Sequence, residues 1–181
     1  MKNSIYFFSI ILITILAGCS KDDHNHNDQE VINQLKINLS SASGNKKLVF
    51  EDPDGEGGIK PTITGDTLKA NTIYTVTISL FSLINNSYKD ISSEIESKGP
   101  EHQFFYSSTN PPLTFSYDDK DTKNSPIGLK SIWTTAAAGS GKVKVVLRHE
   151  PNKSAAGVSS GNILNAGGET DIEVEFDVVV Q

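Results

Sequence analysis

Closely spaced carboxylates, four histidines and a single cysteine are the side chains whose types and spacing could do chemistry in this chain. In EDPDGEGG, Asp52, Asp54 and Glu56 alternate and Gly57 follows, matching positions 1, 3, 5 and 6 of a calcium loop. Calcium takes about six to eight hard oxygen ligands, and clustered carboxylates on a glycine-kinked turn supply several of them. Ile63 stands where the bidentate glutamate of that loop belongs, so a calcium site here must borrow ligands, and DDKD (Asp118, Asp119 and Asp121) is the candidate donor. The same residues also read as an acidic turn between strands, with Pro53 and Gly55 setting the backbone. The histidines suggest softer ions. His24 and His26 form HNHND, His102 follows Glu101, and His149 precedes Glu150. Imidazole beside carboxylate suits zinc or copper, which makes His102 and His149 a candidate transition-metal pair. The alternative for His149 is a hydrogen-bonded histidine at the rim of the core.

Two enzyme-like motifs lack their context. GVSSG, Gly157 to Gly161, fits a nucleophile elbow around Ser159, but that elbow needs a strand-turn-helix and a later histidine, and no histidine follows His149. GSGK, Gly139 to Lys142, has Ala136 where a phosphate loop needs its first glycine, and it leads into a strand. The chain is therefore expected to be non-enzymatic, with a hydrolase built on Ser159 or His149 as the weakest alternative.

The elements that must position these residues are strands. TIYTVTISLF puts Tyr74, Val76, Ile78 and Leu80 on one face; the same alternation groups Phe104 with Tyr106, Leu113 with Phe115 and Tyr117, and Val143 with Val145 and Leu147. The last strand aligns Ile172, Val174, Phe176 and Val178, with Asp171, Glu173, Glu175 and Asp177 opposite. Lys142, Lys144 and Arg148 on the preceding strand complement those acids, so the two strands are expected to pair, with a self-neutralising outer face. Lone Trp133 reads as core, and one short helix is expected over DISSEIE, Asp90 to Glu96. Many short strands separated by Gly, Asn, Asp and Pro clusters specify an all-β, Ig-like antiparallel sandwich. The segment Glu150 to Gly168 is too long for a hairpin turn, and long loops often carry function.

The cysteine speaks to location. Met1 to Gly18 carries one lysine, then an apolar run from Ile5 that is shorter than the roughly 20 residues a bilayer span needs, and reads as a signal peptide. LAGC, Leu16 to Cys19, resembles the lipobox of bacterial lipoproteins. That resemblance implies cleavage before Cys19, a diacylglycerol on its thiol and an acylated amine, which together hold a membrane far better than one chain. Ser20 to Glu30 has no apolar residue and reads as a flexible tether. Its SKDD resembles the signal that sends Bacteroidetes lipoproteins to the outer face of the outer membrane. Residues 31–181 are then expected to form one domain. Cleavage leaves 163 residues and, without Lys2, shifts the net charge from −6 to −7. An acidic chain without clustered Lys and Arg excludes nucleic acid as a natural partner.

EDPDGEGG, PTITGDTLKANTIYTVTI, EHQFFY, PIGL, LRHEPNKSAAGVSSGN and AGGETDIEVEF together resemble a group of small flavobacterial surface lipoproteins. Some carry the label "type 1 periplasmic binding fold superfamily", a fold of two α/β lobes that neither the length nor the strand period of this chain allows. The resemblance implies no activity; the anchor and a sandwich with EDPDGEGG and the Glu150 to Gly168 loop at its ends lead instead to the expectation of a lipid-anchored binding or accessory module on the cell exterior, serving nutrient or metal uptake with an outer-membrane receptor as partner. A structural or adhesive surface protein is the alternative.

Overall fold

The computed structural model describes residues 30–181 apart from Glu56 and Pro111–Pro112. The expected signal peptide, Cys19, most of the tether with His24 and His26, and Glu56 lie outside the described residues.

Alternation of apolar and polar residues produces two antiparallel sheets packed face to face. The larger contains β1 (Gln34–Ser41), β2 (Gly44–Glu51), β3 (Thr62–Gly65), β4 (Ile73–Ile84), β5 (Ser87–Asp90), β7 (Leu113–Tyr117) and β8 (Lys130–Thr135). Its strand order is β3-β2-β1-β4-β8-β7, with β5 turned back onto the far end of β4. That turn is Asn85–Asn86, both at positive φ, the conformation that matches the twist of a tight hairpin. The smaller sheet has the order β10-β9-β6, from β6 (His102–Ser108), β9 (Gly139–His149) and β10 (Glu169–Val180). A single helical turn, α1 (Ser92–Ser97), falls where DISSEIE predicts it and packs its one buried residue, Ile95, into the core.

The core is the set of residues whose spacing assigned them to inner faces. Tyr74, Val76, Ile78 and Leu80 from β4 meet Val143, Val145, Leu147, Val174, Phe176 and Val178 from the small sheet, with Trp133 and Phe104 fully buried between them. Full burial of such an aliphatic or Phe side chain contributes about 1.5–3 kcal/mol. The polar tips of the two largest aromatics are satisfied inside. The Trp133 ring N–H donates to Ser131 Oγ at 3.0 Å, and Tyr74 Oη accepts the Lys69 N–H at 2.9 Å.

The expected pairing of the last two long strands is present. Lys142 Nζ lies 2.6 Å from Glu175 and 3.3 Å from Asp177, and Lys144 Nζ lies 2.5 Å from Glu173. All five side chains are solvent-exposed, where such pairs are each worth roughly 0–1 kcal/mol, so the ladder specifies register more than it adds stability. Asp171 departs from the expectation. It does not join this outer ladder; its side chain is fully buried.

The segment after β9 is also more ordered than its length implied. It folds into two 3₁₀ turns, Val158–Ser160 and Ile163–Asn165, and lies on the outer face of the small sheet. There Val158 and Ala166 cover Phe105 and Val146, two apolar residues that point away from the main core. Lys153 fastens it. Its Nζ donates to the Gly99 carbonyl at 2.6 Å and the Pro126 carbonyl at 2.8 Å, and pairs with Asp121 Oδ2 at 2.9 Å. Burial disfavours both charges. For Asp121 the bonds from Lys153 and from the Ser125 and Lys123 amides outweigh it, holding the carboxyl below its ordinary 3.8, whereas for Lys153 burial wins and lowers the ammonium value.

Breaking a buried pair from one side leaves the other charge uncompensated, so Lys153→Met should destabilise the fold by about 3–5 kcal/mol in urea titrations at neutral pH. A carboxyl depressed on folding adds stability that is present above its unfolded value and lost as pH falls through its folded one. The contribution of Asp121 should therefore persist at pH 5 and vanish only below 3.8, which Asp121→Asn compared with the parent chain across that range will show.

Candidate functional site

His102 opens β6 and His149 closes β9, and antiparallel register makes them direct partners across the sheet. Their rings stack at 4.9 Å between centroids. A bulge in β10 brings a third group. Thr170 pairs with Arg148 and Ile172 with Leu147, leaving Asp171 as an extra residue without a partner across the ladder. Strict alternation would send Asp171 outward with Glu173; the extra residue turns its carboxylate inward, opposite ring nitrogens of both histidines. Arg148, relieved of that acid, donates to Thr170 Oγ1 at 2.8 Å.

The backbone around the bulge is tightly specified. Glu150 sits at φ 50°, and Gly168 at φ 68°. A Cβ on Gly168 would fall 2.1 Å from the His149 carbonyl oxygen, so only glycine lets the two strands approach there.

The cluster is almost dry. The His102 and Asp171 side chains are fully buried, and His149 is 16% exposed. His102 Nδ1 lies 3.1 Å from the Lys98 carbonyl, which only accepts, so Nδ1 carries the hydrogen. In the neutral ring the Nε2 lone pair then faces Asp171 Oδ2 across 3.6 Å, too far for a hydrogen bond. His149 Nδ1 is 3.8 Å from Asp171 Oδ1. His102 Nε2 and both Asp171 oxygens are buried without a hydrogen-bond partner among the described residues. Burial pushes His102 below its usual value and lifts Asp171 to about 6. The Glu30 amide leans toward the carboxylate and offsets a little of that rise, without reaching hydrogen-bond geometry. The result gathers two ring nitrogens and one carboxylate, one ligand atom each, within 4.8 Å of one another.

The other sequence candidates are dispersed. Asp52 Oδ1 accepts the Gly55 N–H at 3.1 Å and Asp54 Oδ2 the Ile59 N–H at 2.7 Å, as turn-forming aspartates do. The DDKD segment cannot complete a calcium site there. It follows β7 at the opposite edge of the large sheet from β2 and β3, four strand spacings or roughly 19 Å from β2. Two of its three carboxylates are also engaged: Asp119 accepts the Gly128 and Lys130 amides, and Asp121 those of Lys123 and Ser125 besides Lys153. Ser159 lies in one 3₁₀ turn between two left-handed glycines, not on a strand-to-helix elbow. It borders an open cleft of 530 Å³ with Asp118, Lys120 and Asn124.

Of the cluster, the sequence pointed to His102 and His149. Asp171 was missed because its acidic, alternating surroundings assign it outward. The available signal was the Gly167–Gly168 pair just before the strand, both at positive φ, which marks an irregular strand entry. No family model, curated protein or solved structure matches this chain.

Gly168→Ala should destabilise the fold by about 1–3 kcal/mol from backbone strain alone, with the collision at His149 adding to it. Thermal unfolding will measure the loss. A change in the His102 and His149 ring resonances in the folded fraction will show that the bulge has moved.

Proposed function

We propose that this chain is a lipid-anchored, non-enzymatic binding module at the outer membrane, facing the cell exterior and serving a nutrient or metal uptake receptor. Cys19 carries the lipid and SKDD directs the outward face. The observation that carries the reading is where the chain enters the sandwich. Glu30 ends the expected tether, and its carboxylate pairs with Lys98 Nζ at 2.8 Å. Lys98 is the residue whose carbonyl holds His102. The tether therefore joins the domain at the pole that holds the buried histidine and aspartate side chains. Eleven residues, Ser20 to Glu30, reach at most about 37 Å when fully extended. A lipid on Cys19 keeps this pole close to the bilayer, within range of a membrane receptor. A binding role also suits the chemistry of the cluster, which offers two imidazoles and one carboxylate as donor groups for a ligand.

Cys19→Ala should move the protein from the membrane pellet to the soluble fraction; a variant that still sediments with membranes would sink the anchoring. Neutral residues in place of Lys21, Asp22 and Asp23 should leave it lipidated but protected from protease added to intact cells. Crosslinking and pull-down of the lipidated protein should recover an outer-membrane receptor, whereas recovery of matrix or adhesin components alone would favour the structural reading.

A further inference from the structure

We infer that His102, His149 and Asp171 form a binding site for one divalent transition-metal ion of the zinc class, with a further coordination position open on the His149 side. Three observations converge on it. The first is the donor set: two imidazoles and one carboxylate are a recurrent three-ligand combination for zinc and its first-row neighbours, and one poorly suited to calcium. Their candidate ligand atoms lie within 4.8 Å of one another.

The second is that, among the described residues, atoms that cannot cheaply lack a hydrogen-bond partner have none. His102 Nε2, Asp171 Oδ1 and Asp171 Oδ2 are all buried and unpaired among the described residues. An unsatisfied buried polar group ordinarily costs about 1–3 kcal/mol, and this pocket collects three. They also face each other as acceptors. A hydrogen bond between His102 and Asp171 would bring the atoms to about 2.7–3.2 Å. The observed separations of 3.6 and 3.8 Å are instead near the roughly 3.3 Å that separates two ligands of one tetrahedral ion with bonds of about 2 Å. A cation between them converts mutual repulsion into three bonds.

The third is the support behind the ligands. Metal-binding histidines commonly donate their other ring N–H to a carbonyl, which fixes the tautomer and aims the lone pair. Lys98 O does this for His102 Nδ1 at 3.1 Å. The β10 bulge and the glycine at 168 fix Asp171 through backbone geometry. Entry is from the His149 side, the one part of the cluster that reaches solvent. An ion held by three protein ligands with one side open can exchange with a ligand brought by another molecule. That property belongs to capture and transfer.

The test uses protein purified from cells, in detergent where it carries lipid. Zn²⁺ is titrated by calorimetry and Co²⁺ by visible absorption. One equivalent of each should bind at micromolar Kd or tighter, with Co²⁺ bands of low-symmetry, four- or five-coordinate character. His149→Gln and Asp171→Asn should each weaken Zn²⁺ at least about tenfold. His24→Ala combined with His26→Ala should leave it unchanged. His149 is partly exposed, so its glutamine variant tests the site without emptying the core, and circular dichroism verifies the fold of each variant. Binding no tighter than millimolar, equal affinity in His149→Gln and Asp171→Asn, or loss only with His24 and His26 would overturn the inference. Binding by the Cys19→Ala protein should match the parent, so failure of the anchoring proposal would leave this one standing.

Discussion

Strands β9 and β10 pair along nearly their whole length, and the register of that ladder governs both faces of the small sheet. Inside, it delivers Val143, Val145 and Leu147 together with Ile172, Val174, Phe176 and Val178 to the shared core. Outside, it sets Lys142 and Lys144 against Glu173, Glu175 and Asp177. A slip of one residue would expose the apolar set and bury the acids. The exposed ion pairs contribute little energy individually, but a slipped register would forfeit them as well, so inner and outer faces favour the same alignment. The bulge at Asp171 is tolerable because the rest of the ladder holds the register on its own. One residue can then be diverted inward while the remainder keeps its pairing.

Most of this architecture was legible because burial in a half-exposed strand is written as a period of two. The inner residues of β4, β9 and β10 follow from that period, and the opposite charges on adjacent outer faces identified one specific strand pair. Trp133 and the short helix followed from equally local signals. What was not legible depends on counting across strands. The bulge changes the facing of Asp171 without changing its neighbours in sequence, and four alternating acids give no reason to single out the first. His102 and His149 lie 47 positions apart, yet sheet register makes them partners. The segment after β9 was unreadable for a similar reason. Its apolar residues are few, and the surface that receives them, Phe105 and Val146, occupies the face of two strands that alternation leaves for solvent.

The candidate site accordingly divides into what residue type suggested and what geometry supplied. Imidazole chemistry nominated two groups; the fold added a carboxylate, buried the cluster and left donor atoms facing one another. The acidic EDPDGEGG turn shows the opposite outcome. Its aspartates had a stronger motif, yet Asp52 and Asp54 bond their own backbone and their nominal helpers stand at the opposite sheet edge.

The Lys153 anchorage has a consequence for the order in which the chain assembles. Its three partners lie 54, 32 and 27 residues away, on the turn just before β6 and on the segment between β7 and β8. Pairing over such separations costs loop-closure entropy, so the covering segment is expected to lock after the two-sheet body has formed. Contacts formed after the rate-limiting step do little to speed folding, but they slow its reversal. The segment acts as a latch on the finished sandwich, lengthening the life of the folded state.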